Sequence, residues 1–213
     1  MRYLEFKTKF QHLPFIMEQD ILRGQGSRQA LRNQLSRWKK QGLVIKLKRG
    51  MYILNKDDRK FKPGGFVLAN QLYAPSYVSM ESALTFYGLI PEKTADITSV
   101  TTKKTLCLCN PEGRFLYQHI KSDAFRGFRS QVEGFGLNYF IAVPEKAVLD
   151  FLYLNLDQIS AEDKDIFYAS FRLQNLGILR AKRVLEMSKL FSNRKLFKVV
   201  ANLLELVKKE KHK

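Results

Sequence analysis

Cysteine is nearly absent from this 213-residue chain: Cys107 and Cys109 are the only two. That excludes a disulfide framework and a cysteine-rich zinc module, both of which need several spaced pairs. One intervening residue in a strand-like stretch places both sulfurs on one face, a poor arrangement for a disulfide. His12, His119 and His212 are scattered along the chain, so no ligand spacing forms around the cysteines. They read as buried, reduced thiols, and no metal is expected. No apolar run approaches the ~20 residues that span a bilayer, and no lipidation motif is present. The opening MRYLEFKTKF has no apolar stretch of the secretory kind. The expectation is a cytoplasmic protein with no membrane partner. There is also no glycine-rich phosphate loop and no Ser–His–Asp set, so neither a cofactor nor a catalytic residue is expected.

Negative charge is scarce as well. Against 37 Lys and Arg stand 20 Asp and Glu, a formal net charge of +17. Residues 1–65 hold 16 basic and 5 acidic side chains, and residues 180–213 hold 11 and 3, whereas residues 66–179 are close to neutral. Such an excess favours a polyanionic partner, nucleic acid first.

The basic N-terminal part contains the most informative stretch, SRQALRNQLSRWKKQGLVIKLKRGMYIL, residues 27–54. Ser27 is a suitable N-cap and Gly42 a suitable terminating glycine for a helix between them. Leu31, Leu35 and Trp38 make one apolar stripe, while Gln29, Arg32, Asn33, Ser36, Arg37 and Lys40 share the opposite face. Two short strands follow, Leu43–Lys48 and Met51–Leu54, joined at Arg49-Gly50. In alternation, Leu43, Ile45 and Leu47 point one way, and Val44, Lys46 and Lys48 the other. A polar, cationic helix beside a cationic hairpin has the composition of a recognition helix and wing. Amides and guanidinium groups suit base edges, and lysines and arginines suit phosphates. Contact geometry favours the helix N-terminus, so Arg28, Gln29, Arg32 and Asn33 are the candidates for base reading. Ser27, Arg37, Lys40, Lys46, Lys48 and Arg49 are the candidates for phosphate contact. Solvation alone would also explain Arg37 and Lys40.

The expected fold class is α+β: an N-terminal winged helix-turn-helix, then a mixed α/β domain, then a helical C-terminal region. The boundaries expected are 1–56 for the DNA-binding domain, 57–65 for a linker within the polar stretch NKDDRKFKPGG (residues 55–65), 66–157 for the mixed domain and 158–213 for the helical region. The first domain would open with a helix at Tyr3–Phe10 and a strand edge at Phe15-Ile16. A helix at Met17–Arg23 and a turn at Gly24–Gly26 would follow. In the middle, a helix at Phe66–Leu72 and another capped at Ser79 precede strands at Asp96–Thr101, Thr105–Cys109, Phe115–Ile120 and Leu137–Val143. Pro144 with Glu145 starts a further helix. Ser160 with Asp163 resembles a capping box, and helices are expected near 161–174, 178–191 and 194–211. Ser79, Glu81, Glu145, Lys146 and Asp150 have the chemistry of a nucleophile–base set. Helix capping accounts for Ser79 and Glu145, and nothing else converges on them.

The middle of the chain resembles the AbiEi family of antitoxins from bacterial type IV toxin–antitoxin systems. The stretches that carry the resemblance are YVSMESALTFYGLIP, DITSVTTKKT, FLYQHIKSDAFRGF and AVPEKAVLDFLYL, together with the helix, turn, helix and hairpin ending in RGMYIL. They span about residues 10–157. The resemblance implies a two-domain regulator whose N-terminal winged helix represses its operon by binding promoter inverted repeats in double-stranded DNA. It also implies a C-terminal domain that neutralises a nucleotidyltransferase-like toxin without a stable complex. The alternatives are a stand-alone winged-helix transcription factor and an RNA-binding protein.

Overall fold

A computed structural model of the protein describes residues 1–22, 27–160 and 165–211. The N-terminal part runs through α1 (Tyr3–Phe10), β1 (Ile16–Met17), α2 (Glu18–Leu22), α3 (Arg28–Lys40), β2 (Val44–Lys48) and β3 (Met51–Leu54). The strands form an antiparallel sheet in the order β1-β3-β2. The expected turn at Gly24–Gly26 lies outside the described residues.

Local chemistry sets the limits of α3. Ser27 is its N-cap residue, although the hydroxyl makes no capping bond. At the other end Gly42 takes φ +73°. Its N–H donates to Lys39 O at 3.1 Å and that of Leu43 to Trp38 O at 2.9 Å, which satisfies carbonyls the helix leaves unpaired. A Cβ at Gly42 would meet nothing within 4 Å. Gly42→Ala should therefore destabilise the protein through backbone strain alone, by about 1–2 kcal/mol in urea denaturation. An unchanged midpoint would show that this helix end does not depend on a left-handed residue.

The chain continues through α4 (Gly65–Leu72), β4 (Ser76–Val78), α5 (Met80–Phe86), β5 (Ile97–Thr101), β6 (Leu106–Asn110), β7 (Gly113–His119), β8 (Phe128–Glu133), β9 (Leu137–Ala142) and α6 (Pro144–Leu154). Then come α7 (Ile166–Ala169), α8 (Ala181–Ser188) and α9 (Arg194–Lys211). The protein is thus a mixed α+β structure, with nine α-helices among the described residues and a six-stranded mixed sheet of order β6-β7-β5-β4-β9-β8. Strands β5 and β7 pair in parallel, as do β4 and β9, and the other neighbours are antiparallel. Two strands are additions to the sequence reading. Strand β4 is three residues long, and β8, FRSQVE, is an edge strand without clean apolar alternation. The helix expected at 161–174 is confined to the four residues of α7 among the described residues, and Asp163 of the expected capping box lies outside them.

Strand β3 is buried on both faces. Met51 and Ile53 belong to the large core around the six-stranded sheet. Tyr52 and Leu54 belong to a smaller core with Phe6, Phe10, Leu35 and Trp38. Strand β2 divides in the same way, with Val44 in the small core and Leu47 in the large one, across a bulge between Lys46 and Lys48. A strand covered on both sides needs a continuous apolar run, and MYIL is one.

The segment read as a linker is fastened to its surroundings. Asp58 accepts hydrogen bonds from the Tyr3 hydroxyl at 2.6 Å and Lys7 Nζ at 2.5 Å. These partners hold its carboxyl below the usual range. Lys60 N–H donates to Gln11 O at 3.0 Å, and Arg59 pairs with Glu112, both nearly buried.

Candidate nucleic-acid interface

Helix α3 buries Leu31, Leu35 and Trp38 in the small core, which turns its polar stripe outward. Arg28, Gln29, Asn33, Ser36, Arg37 and Lys40 are all exposed. Gln29 Nε2 donates to Asn33 Oδ1 at 3.1 Å, so two amides one turn apart form a single ordered donor and acceptor edge.

Arg32 is placed differently from the rest of the stripe. It is half-buried, and its Nε lies 2.7 Å from Glu18 Oε1. Arg28 Nε is 3.8 Å from the same oxygen. Glu18 opens α2, and its own N–H donates to Gly50 O at 2.9 Å. Glu18 therefore ties α2 to α3 through its nearly buried carboxylate and to the β2–β3 turn through its backbone N–H, which fixes the angle between helix and hairpin. Sequence reasoning did not find Glu18, because nothing in its neighbourhood marks it as the partner of a residue fourteen positions on.

A groove of about 400 Å³ runs between α3 and the hairpin, lined by Glu18, Arg32, Ser36, Lys39, Lys46 and Arg49. Lys46 and Arg49 are exposed, as is Lys39, a cation missing from the sequence-based set. Lys48 faces elsewhere. Its Nζ donates to Gln71 O at 3.0 Å and Leu72 O at 2.8 Å, at the C-terminal end of α4. There an ammonium complements the negative end of the helix. Burial, aided by Lys103, lowers its pKa below the ordinary lysine value. The bulge after Lys46 breaks the alternation that placed Lys46 and Lys48 on one face.

A second polar cluster sits inside the large core. Tyr77 on β4, Ser79 at the β4–α5 junction, and Lys146 and Asp150 on α6 are fully buried. Lys146 Nζ pairs with Asp150 Oδ1 and donates to the Tyr77 hydroxyl at 2.8 Å. That hydroxyl donates to Asp150 Oδ2 at 2.9 Å, and Ser79 Oγ donates to the same oxygen at 2.8 Å. The Phe191 ring covers the ammonium at 4.6 Å. Burial pushes the Asp150 carboxyl up and the Lys146 ammonium down from their ordinary values, while their mutual attraction opposes both shifts. Ser79 does occupy the N-cap position of α5, but its hydroxyl serves Asp150 and makes no capping bond. The structure thus brings Ser79, Lys146 and Asp150 together, adds Tyr77, and seals all four from solvent. Glu145 points to the α8 side instead, accepting from Arg180 N–H at 3.3 Å.

The two cysteines are exposed rather than buried, because β6 is an edge strand with its outer face uncovered. Among the described residues no helix is long and apolar enough to cross a membrane. No family model matches the chain, and no curated protein matches it significantly.

Proposed function

We propose that the protein is a sequence-specific DNA-binding repressor whose N-terminal part acts as a winged helix-turn-helix. Helix α3 enters the major groove of double-stranded DNA, and the β2–β3 turn lies along the backbone. The observation that carries this reading is the outer face of α3, an ordered Gln29–Asn33 amide pair flanked by Arg28 and Arg37 beside a cationic groove. Asn and Gln match adenine and Arg matches guanine through paired donors and acceptors. Arg28, Gln29 and Asn33 are the base-reading residues in this proposal, and Arg32 positions the helix through Glu18. Ser27, Arg37, Lys40, Lys46 and Arg49 contact phosphates. Lys48, held by α4, drops out of that set.

The resemblance to AbiEi antitoxins extends the proposal. The repressor autoregulates a type IV toxin–antitoxin operon through promoter inverted repeats, and it opposes a nucleotidyltransferase-like toxin. This half rests on the sequence resemblance alone. A toxin reading frame beside the gene, with toxicity relieved by co-expression of this chain, is the expected result. Toxicity unaffected by the chain would leave a repressor that does not oppose that toxin.

The first test is a mobility-shift assay with the protein's own upstream promoter and a random duplex across a salt series. Selective binding to the promoter is expected. Four phosphate-contacting cations give a slope of log K against log salt of about −3.6 per bound chain. Lys46→Ala should flatten that slope by about 0.9. Lys48→Ala should leave it unchanged and lower stability by less than about 1 kcal/mol, since its ammonium is partly solvated. Equal slope changes in the two variants would refute the assignment of Lys48 to α4.

A further inference from the structure

Strand β8 closes one side of the six-stranded sheet, and its outer edge is unpaired. Val143 N–H donates to Gly127 O at 2.9 Å, and from there the pairing with β9 runs without a bulge, from Phe128 opposite Ala142 to Glu133 opposite Leu137. Alternation along that ladder turns the N–H and C=O groups of Arg129, Gln131 and Glu133 toward β9, and those of Phe128, Ser130 and Val132 outward. Phe140, opposite Ser130, agrees with this phase, since its N–H turns away from β8 and donates to Asn70 Oδ1. The other edge of the sheet differs. There Asn110 of β6 donates from Nδ2 to Leu47 O at 3.3 Å, so the N-terminal part lies against it.

An open edge is a template for another strand, and proteins commonly guard it with proline, a bulge or charge. The segment FRSQVE has neither proline nor bulge. One of its faces carries Val132, 69% exposed, beside Phe140 of β9, 45% exposed. The other face carries its two charges, Arg129 and Glu133, with Gln131 midway between them. Among the described residues neither charge has an ion-pair partner within the chain. With its amide oxygen facing the guanidinium, Gln131 accepts from Arg129 Nε at 3.1 Å and Nη2 at 3.0 Å, which orders the arginine along the strand.

That spacing is self-complementary. In an antiparallel pair of identical strands with Gln131 on the two-fold axis, Arg129 stands opposite the second copy's Glu133, and Glu133 opposite its Arg129. Ser130 then faces the second copy's Val132. Both turn their main-chain groups outward, so each such pair exchanges both hydrogen bonds. The charged pairs fall at the positions between, where facing side chains come closest, with Cβ atoms about 4.5–5.5 Å apart. Sliding one copy by two residues keeps the main-chain bonds but sets a glutamine opposite one charge, so the charges select this register. The distribution of charge along the chain permits the approach. Its positive excess lies in residues 1–65 and 180–213, and β8 belongs to the near-neutral middle.

We propose that β8 is a self-association edge: two copies of this chain join antiparallel through it into one continuous sheet, kept in register by the symmetric Arg129–Glu133 ion pairs. The association needs no nucleic acid and does not rest on the DNA-binding reading. One strand per copy is at the small end of specific interfaces, so the dimer has a dissociation constant on the order of micromolar and exchanges readily.

The test is sedimentation equilibrium of the full chain without DNA, from low to high micromolar concentration. A monomer–dimer equilibrium is expected. Arg129→Glu and Glu133→Lys each set like charges opposite one another at both symmetric positions, and each should weaken the dimer about tenfold or more. Mixed together, these two variants should form a heterodimer, because the acidic edge of one matches the basic edge of the other. The chain carrying both changes should dimerise as the native chain does. Ser130→Pro removes an outward N–H without breaking the ladder to β9, and should weaken the dimer about tenfold. Circular dichroism checks that each variant is folded. Glu133 packs against Gly64, so if Glu133→Lys does not fold, Arg129→Glu and Ser130→Pro decide. The proposal is overturned if the native chain stays monomeric throughout, if folded Arg129→Glu or Ser130→Pro dimerises as tightly as the native chain, or if the two folded charge variants fail to pair. It is also overturned if Arg129→Ala with Glu133→Ala associates more tightly than the native chain, which would make the two charges guards of the edge.

Discussion

Replacing Arg28, Gln29 and Asn33 together with alanine should abolish discrimination between the promoter and a random duplex, while weak binding to both survives. Each well-placed side-chain pair with a base edge contributes about 1–3 kcal/mol of discrimination. Losing three would weaken promoter binding by roughly 3–9 kcal/mol if they add, and saturation at the non-specific level will hide the upper part of that range. The fold should be unaffected, because all three side chains are exposed and the buried face of α3 is untouched. Arg32→Ala belongs to a different class. Among the described residues it leaves Glu18, nearly buried, with Arg28 at 3.8 Å as its remaining ion-pair partner. Stability should fall together with promoter affinity, and a suppressor at Glu18 should restore stability first. If the triple variant retains full selectivity in a folded protein, α3 is not the reading element.

Asp150→Leu should be the most damaging single substitution in the large core. Breaking one side of a buried ion pair typically costs about 3–5 kcal/mol, because the remaining charge has no solvent to turn to. Here Lys146 would keep only the Tyr77 hydroxyl at 2.8 Å, beneath the Phe191 ring. Its ammonium, whose pKa burial already lowers, would then release its proton on folding. The unfolded chain would bind that proton and the folded chain would not, so the variant's stability should rise with pH through the neutral and alkaline range. Lys146→Met should cost less, since Asp150 keeps the Tyr77 and Ser79 hydroxyls as donors at 2.9 and 2.8 Å. The pair of changes Lys146→Met with Asp150→Leu should recover much of the single loss. Urea denaturation at several pH values checks all three. A cost below about 1 kcal/mol for Asp150→Leu would mean the cluster does not hold a charged pair.

The sequence made some of these features visible and hid others, for identifiable reasons. Helix α3, its Gly42 terminus and the β2–β3 hairpin were legible because each signal is local: stripe spacing, a left-handed glycine, a two-residue turn. The start of α6 was legible for the same reason, at Pro144. Strand β8 was not, because an edge strand with Arg129, Ser130, Gln131 and Glu133 need not alternate cleanly. The cysteines show the limit well. Period-two geometry placed both on one face, but which face is covered depends on strand order across the whole sheet. Lys146 and Asp150 stood out in the sequence only for their chemistry, as members of a nucleophile–base set with Ser79. Their partner Tyr77 did not, because a buried tyrosine in a strand looks like any core aromatic. Likewise, the polarity of Lys48 was plain, and its docking on the end of α4 depends on tertiary packing.

Strand β3 has a consequence for how this chain could be divided. Its residues serve two cores in alternation, and the Arg59–Glu112 pair and the Asp58 bonds bind the following segment on both sides. A fragment ending at residue 56 would carry Met51, Ile53 and Leu47 on an uncovered face, and the complementary fragment would lose part of its own wall. The two halves should therefore melt in a single transition and fail as separately expressed pieces. An architecture of this kind resists shuffling. Recombination could not trade one N-terminal part for another without also rewriting the surface that receives it, so if α3 reads DNA as proposed, new operator preferences would arise by point changes on its outer face.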